Sequence, residues 1–246
     1  MVRHHRLLIA LLPAVLAITV AGCGGTAPKS SSGGGSSNNL TNGFPLTGAS
    51  LPSYTADYAI TGAATGTASW TVTQSGQETL VTIQTNIAGS AETDKLVLTR
   101  KGLRFVSAEE VATAPGQRFT ITAKLQGKKI VETANVNGKA ESISYPYTKT
   151  TVVNDALLPL LAGLDVQPGE LQVAQDVILK HGVAVPIGFT ANDRTAVTTP
   201  AGTFHCVSIT LSGSGPNQKV YIDTGAHVLV RYVNNQTTFT LQKLTR

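Results

Sequence analysis

The sequence predicts a mostly β domain, an antiparallel meander with one short helix. Three observations predict it. Thr and Val recur in short bursts beyond about residue 51, a composition that suits pleated, half-buried strands better than helix. Apolar and polar residues alternate there in runs of strand length, separated by turn formers. Charged residues are only 13% of the 246-residue chain, with one Met and one Trp, so the core falls to small and β-branched side chains.

The first fifty residues have a different character. Arg3, His4, His5 and Arg6 form a positive N-terminal region, and Leu7 to Ala21 is an apolar stretch of signal-peptide length, interrupted by Pro13 and short for a permanent membrane span. Val20-Ala21-Gly22-Cys23 resembles the lipobox of bacterial lipoproteins, with Val20 where Leu is commoner. The resemblance implies that residues 1–22 are a signal peptide removed on export. It also implies that Cys23 is diacylated on sulfur, becomes the new N-terminus and acts as a lipid anchor in the cell envelope. Two acyl chains anchor stably where one is marginal. An ordinary secretory leader followed by a free thiol, or an uncleaved anchor, is the competing reading.

From Gly24 to Gly48 the chain is rich in Ser, Gly, Asn and Thr, with Ser30-Ser31-Ser32-Gly33-Gly34-Gly35-Ser36-Ser37 at its centre. Such a tract buries too little apolar surface to offset backbone ordering, so residues 23–50 read as a lipidated cysteine and flexible tether. Asn39-Leu40-Thr41 matches a glycosylation sequon, which in a bacterial lipoprotein has no expected use. Residues 51–246 then form one β-rich domain.

Within it, Trp70-Thr71-Val72-Thr73 alternates and stops at Ser75-Gly76-Gln77. Val81, Ile83 and Ile87 share one parity, and Phe119, Ile121, Ala123 and Leu125 oppose Arg118, Thr120, Thr122 and Lys124. Asn137-Gly138, between Lys129–Val136 and Ala140–Tyr145, is the best hairpin signal; Lys101-Gly102 and Gln126-Gly127 are further turn candidates. Asn154 to Leu164 breaks the rhythm, with Asn154 as a candidate N-cap, an apolar run and Gly163 near its end, and reads as a short helix despite Pro159. Such a helix plugs one end of a sheet, or, less readily, forms a lid.

In the C-terminal third, Thr199-Pro200-Ala201-Gly202 has the composition of a tight turn. Beyond it Val207, Ile209 and Leu211 take one face, and Phe204, Cys206, Ser208 and Thr210 the other, so Cys206 is expected mid-strand and buried. Val197 to Val207, Lys219-Val220-Tyr221-Ile222-Asp223, Gly225 to Tyr232 and Thr238-Phe239-Thr240-Leu241 together resemble the closing strands of the DUF3108-like group of bacterial envelope proteins. Leu157 to Gly169, with Asp165-Val166-Gln167-Pro168-Gly169, resembles the segment that precedes them. The likeness covers residues 150–246, and 51–149 only in strand rhythm. It implies a sheet curled into an incomplete, half-open barrel, similar to lipid-carrier half-barrels, and supplies no activity.

Motifs for catalysis are missing from the sequence. It has no G-x-S-x-G, no phosphate-cradling G-x-x-x-x-G-K-[ST], no G-x-G-x-x-G and no C-x-x-C, and His181, His205 and His227 lie on separate segments without metal-ligand spacing. Glu109-Glu110 is a carboxylate pair, but neighbouring strand residues point to opposite faces and cannot flank one bond unless the chain turns there, and the pair reads as a solvated loop. The formal charge of +5 includes Arg3 and Arg6 of the leader, whose removal leaves 17 basic against 14 acidic side chains. No basic block with interleaved aromatics points to nucleic acid.

The expectation is a non-enzymatic protein without metal or cofactor, tethered on the extracytoplasmic side of the cytoplasmic membrane, or on an outer membrane where one exists. It holds a lipid or other apolar ligand against its curved sheet, with Trp70, Val72, Phe119, Ile121 and Leu125 as candidate lining residues. Parity alone does not say which face is concave, and an interior simply filled by side chains is the competing arrangement. The alternative function is an envelope scaffold that binds an unidentified protein partner.

Overall fold

The computed structural model describes residues 49–115, 117–169, 171–179, 183–213 and 218–246. The leader, Cys23, the tether with its sequon, and His181 lie outside the described residues.

The chain folds as the alternation predicts. A first run of strands comprises β1 (Tyr54–Gly62), β2 (Gly66–Ser75), β3 (Glu78–Ile87), β4 (Ser90–Thr99), β5 (Phe105–Ala114), β6 (Gln117–Gln126), β7 (Lys129–Val136) and β8 (Lys139–Pro146). A short β9 (Thr151–Val153) leads into the helix α1 (Asn154–Gly163). The second run is β10 (Leu171–Ile178), β11 (Val183–Thr199), β12 (Gly202–Ser212), β13 (Gln218–Asp223), β14 (Val228–Asn234) and β15 (Thr237–Thr245). All fifteen join one sheet in the order β8-β7-β6-β5-β4-β3-β2-β1-β15-β14-β13-β12-β11-β10-β9. Neighbours are antiparallel except β9 and β10, which run parallel.

The turns are where the sequence places them. Asn137 and Gly138 have φ of 50° and 87°, the doubly left-handed backbone of a tight hairpin turn. Gly102 and Gly127 also take positive φ, and the Thr199-to-Gly202 turn closes β11 onto β12.

The sheet is curled and not closed. Its two edge strands, β8 and β9, are consecutive in the chain and separated only by residues 147–150. Laid flat, fourteen neighbour spacings of about 4.8 Å would put those edges about 67 Å apart. A four-residue link reaches about 17 Å. The sheet must therefore roll until its edges approach, forming the half-open barrel that the family resemblance implied.

α1 lies inside the roll. Every residue from Ala156 to Gly163 is buried, so the helix has no solvent face, unlike the amphipathic helices that cover a sheet from outside. It touches β9, β10, β13 and β14 on one side and β4 on the other, which makes it a plug rather than a lid. Two details differ from the sequence expectation. Asn154 does not cap the helix: Val153 stands at the cap, and the Asn154 amide donates to Asp176 Oδ2 at 2.8 Å. Gly163 is the last helical residue instead of a left-handed terminator; a Cβ there would run into Leu103 Cδ1 and the Ser50 carbonyl, so it serves close packing. Pro159 sits within the helix, which continues past it to Gly163.

Candidate functional site: the inner face of the curled sheet

Register assigns the faces that parity alone left open. Trp70, Ile83, Asp94, Glu110, Ile121, Ala134 and Glu141 stand opposite one another in one row from β2 to β8. The next row toward the helix end holds Val72, Val81, Leu96, Ala108, Ala123, Glu132 and Ile143. Phe119 and Leu125 share the phase of Ile121 on β6, so all five candidate lining residues fall on one face. That face is the inner one, because its β1 to β3 members are buried.

The five differ in access. Trp70, Val72 and Ile121 are buried members of the core, Trp70 packing its ring 5.4 Å from that of Tyr58, whose hydroxyl donates to the Leu229 carbonyl at 2.9 Å. Phe119 and Leu125 are only partly buried. Exposure rises further toward the β8 edge, where Ile143 is 42% exposed. Tyr145, two residues on, is buried and donates its hydroxyl to Glu132 Oε2 at 2.8 Å, pinning the end of the edge strand to β7. Burial first, then this hydrogen bond, raises the Tyr145 phenol above its ordinary range.

The sequence reading missed the carboxylates on this face. Glu92, Asp94 and Glu110 bring carboxylate oxygens within 4.8 Å of one another, with Asp94 and Glu110 buried. An all-oxygen donor set of this kind suits a hard cation. The reading of Glu109-Glu110 as a solvated loop is corrected: both lie in β5 and point to opposite faces. Glu109 is outside and meets Lys95 at 3.5 Å, an exposed pair worth about 0–1 kcal/mol, whereas Glu110 is inside. A signal was present in the sequence, since Glu92 and Asp94 run in phase with Leu96 and Leu98, and Glu110 with Ala108 and Ala112.

A second buried polar group lies under the start of α1. Asp176 on β10 is fully buried and accepts from Asn154, and its carboxyl is raised to about 7, chiefly by desolvation, with the Asn154 hydrogen bond opposing and Asp155 adding to the rise. Tyr232 feels the same carboxylate and donates to Gln218 Oε1 at 2.7 Å. Cys206 is buried in β12 as expected, its thiol pushed up to about 12 by burial, then by Asp223. A thiol so protonated is a poor nucleophile. His205 is exposed on β12 and His227 lies in the β13–β14 turn; neither joins the carboxylate group. Arg231 is half-buried and donates to the Thr198 carbonyl at 3.3 Å.

Comparison with known proteins shows the fold alone. No family model matches the chain, and no curated protein does. Among solved structures, a β-barrel-like protein of a domain of unknown function, DUF1849, from Brucella abortus superposes with a TM-score of 0.57 at 11% identity, covering 80% of this chain and 98% of the other. An exported protein with a YmcC-like fold, so described, from Bacteroides fragilis covers 80% and 98% at 11% identity with a TM-score of 0.30. A protein described as a lipoprotein from Parabacteroides distasonis covers 84% and 100% at 13% identity with a TM-score of 0.29. The barrel-like architecture implied by the sequence resemblance is thus shown, without the DUF3108-like group itself.

Proposed function

We propose that this protein is an extracytoplasmic lipoprotein, held at the membrane by a diacylglycerol on Cys23, whose half-open sheet takes a lipid or another apolar ligand against its inner face beside β8. The observation that supports it is a gradient along one inner row. Val72, Val81, Leu96, Ala108 and Ala123 are covered, whereas Ile143, at the edge of the same row, is 42% exposed. Buried Glu132, whose carboxylate accepts from the Tyr145 hydroxyl, interrupts this apolar row before Ile143, which stands on an unpaired edge strand and leaves an entry there. α1 fills the other part of the roll, so the capacity lies along the β5–β8 arc, next to Phe119 and Leu125. The reading is non-enzymatic, and it stations the domain outside the cytosol on the membrane that receives the lipidated chain.

Two measurements on native protein from the cell envelope test it. Peptide mapping is expected to find Cys23 as a diacylated N-terminus; an unmodified sulfur with residues 1–22 still attached would remove the membrane placement. Organic extraction with mass spectrometry is expected to release an apolar molecule, and Ile143→Lys, at an exposed site that tolerates charge, is expected to lower its yield several-fold. A chain that never carries or takes up such a molecule is no carrier. The unpaired β8 edge would then favour the partner-binding scaffold reading.

A further inference from the structure

The positive charge of the β1–β8 arc is not spread evenly over its two ends. Because β1 to β8 form an antiparallel meander, the β2–β3, β4–β5 and β6–β7 turns and the β8–β9 link all fall at one end, and the β1–β2, β3–β4, β5–β6 and β7–β8 turns at the other. Within this arc the first end carries Arg100, Lys101, Arg104, Lys128, Lys129 and Lys149, against one carboxylate, Glu78, while Asp165 and Asp223 stand at the same end on the β9–β15 side. The cations are all exposed except Arg104, which is half-buried. The opposite turns carry Lys139 as their single charged residue among those described.

These cations form one connected rim. The Tyr147 amide donates to the Lys128 carbonyl at 2.8 Å, joining the β8–β9 link to the β6–β7 turn. Arg104 lies 5.3 Å over the Tyr147 ring and donates to the Thr148 carbonyl at 3.5 Å, joining the β4–β5 turn to the same link. The chain enters the domain at this rim: the Gly102 amide, two residues from Arg100, donates to the Ala49 carbonyl at 2.8 Å. Ala49, where the described chain begins, therefore lies beside the cations and not at the neutral end.

We propose that this end of the barrel is a docking face for an anionic membrane surface, in which the basic rim meets lipid phosphates directly beneath the point where the tether leaves. The physical basis is additive: each Lys or Arg held near an anionic leaflet contributes about fivefold to partitioning, within a Debye length of the surface. A rim of this size adds a second, orienting signal to an acyl anchor. It turns the open β8 edge sideways to the membrane, since the rim lies at the ends of the strands. The setting rests on the membrane placement proposed above, whereas the binding itself does not.

The test uses the chain from residue 23 onward carrying Cys23→Ser, so that neither acylation nor the apolar leader plays a part, and vesicles of phosphatidylcholine with or without phosphatidylglycerol. Sedimentation is expected to show binding only to the phosphatidylglycerol vesicles, falling with added salt. Lys128→Gln with Lys129→Gln is expected to weaken it roughly thirtyfold, about fivefold for each lysine. Arg118→Gln with Lys139→Gln, the same charge loss toward the opposite end, is expected to change it less than twofold. Equal loss from both pairs would show a net-charge effect and overturn the docking face, as would equal binding to both kinds of vesicle. Failure of Cys23 acylation in native material would leave this result standing, so the two proposals fail separately.

Discussion

Asp176 shows how much one side chain can cost a fold. Its carboxyl is buried where β10 meets the start of α1, faced by Asn154 and Asp155 from the helix and by Tyr232 from β14. Its pKa of about 7 lies above the ordinary 3.8, so the folded chain holds a proton that the unfolded chain has released between those values. Stability therefore declines as pH rises from about 4 to about 7, and the full cost persists above that, an upper bound of about 4 kcal/mol. Asp176→Asn, which keeps a partner for the Asn154 amide, is expected to leave stability at about pH 4 unchanged and to raise it by about 2–4 kcal/mol at about pH 8. Urea denaturation at the two pH values measures it; an equal change at both would mean that the carboxyl is not neutral in the folded protein.

At the scale of elements, α1 is stabilised by its surroundings and hardly by its own sequence. It has no side-chain N-cap, carries Pro159 inside, and has no basic residue in its last turn to complement the dipole. Burial on all sides compensates. Leu161→Ala, at a position 1% exposed, is expected to cost about 3 kcal/mol in chemical denaturation, several times the value for an exposed strand leucine. A loss under about 1 kcal/mol would indicate that the plug can repack or leave. This element also marks how far sequence could be read. The helix and its plug role were legible because an apolar run with no polar stripe fits only an interior. The Asn154 cap was not, because Asp176 is distant in sequence and takes the amide. The strands were legible from period-two alternation and from turn pairs such as Asn137-Gly138, whereas the inward Glu92, Asp94 and Glu110 break the apolar phase that defines a strand face.

At the scale of the whole molecule, neither curl nor closure appears in alternation, since both depend on which strands pair. The decisive pairing is between the ends of the domain: β15 lies between β1 and β14 and is the sheet's junction between the β1–β8 arc and the β9–β14 arc. Across that junction Ile60 faces Phe239 and Tyr58 faces Leu241, all buried, and Phe239 packs 5.7 Å from Tyr232 on β14. Contacts so distant in sequence form only after a large loop-closure cost has been met, so the two arcs are expected to fold together or not at all. The full domain should then unfold in urea as one transition, with the fluorescence of Trp70, in β2, coinciding with far-ultraviolet circular dichroism. Ending the chain at Gln236 removes β15 and leaves the arcs joined by the residue 147–150 link and by α1. Its two signals are expected to separate, Trp70 reporting the β1–β8 arc alone. Coincident transitions in the shortened chain would show that the plug helix, and not the β1–β15 pairing, makes the barrel one cooperative unit.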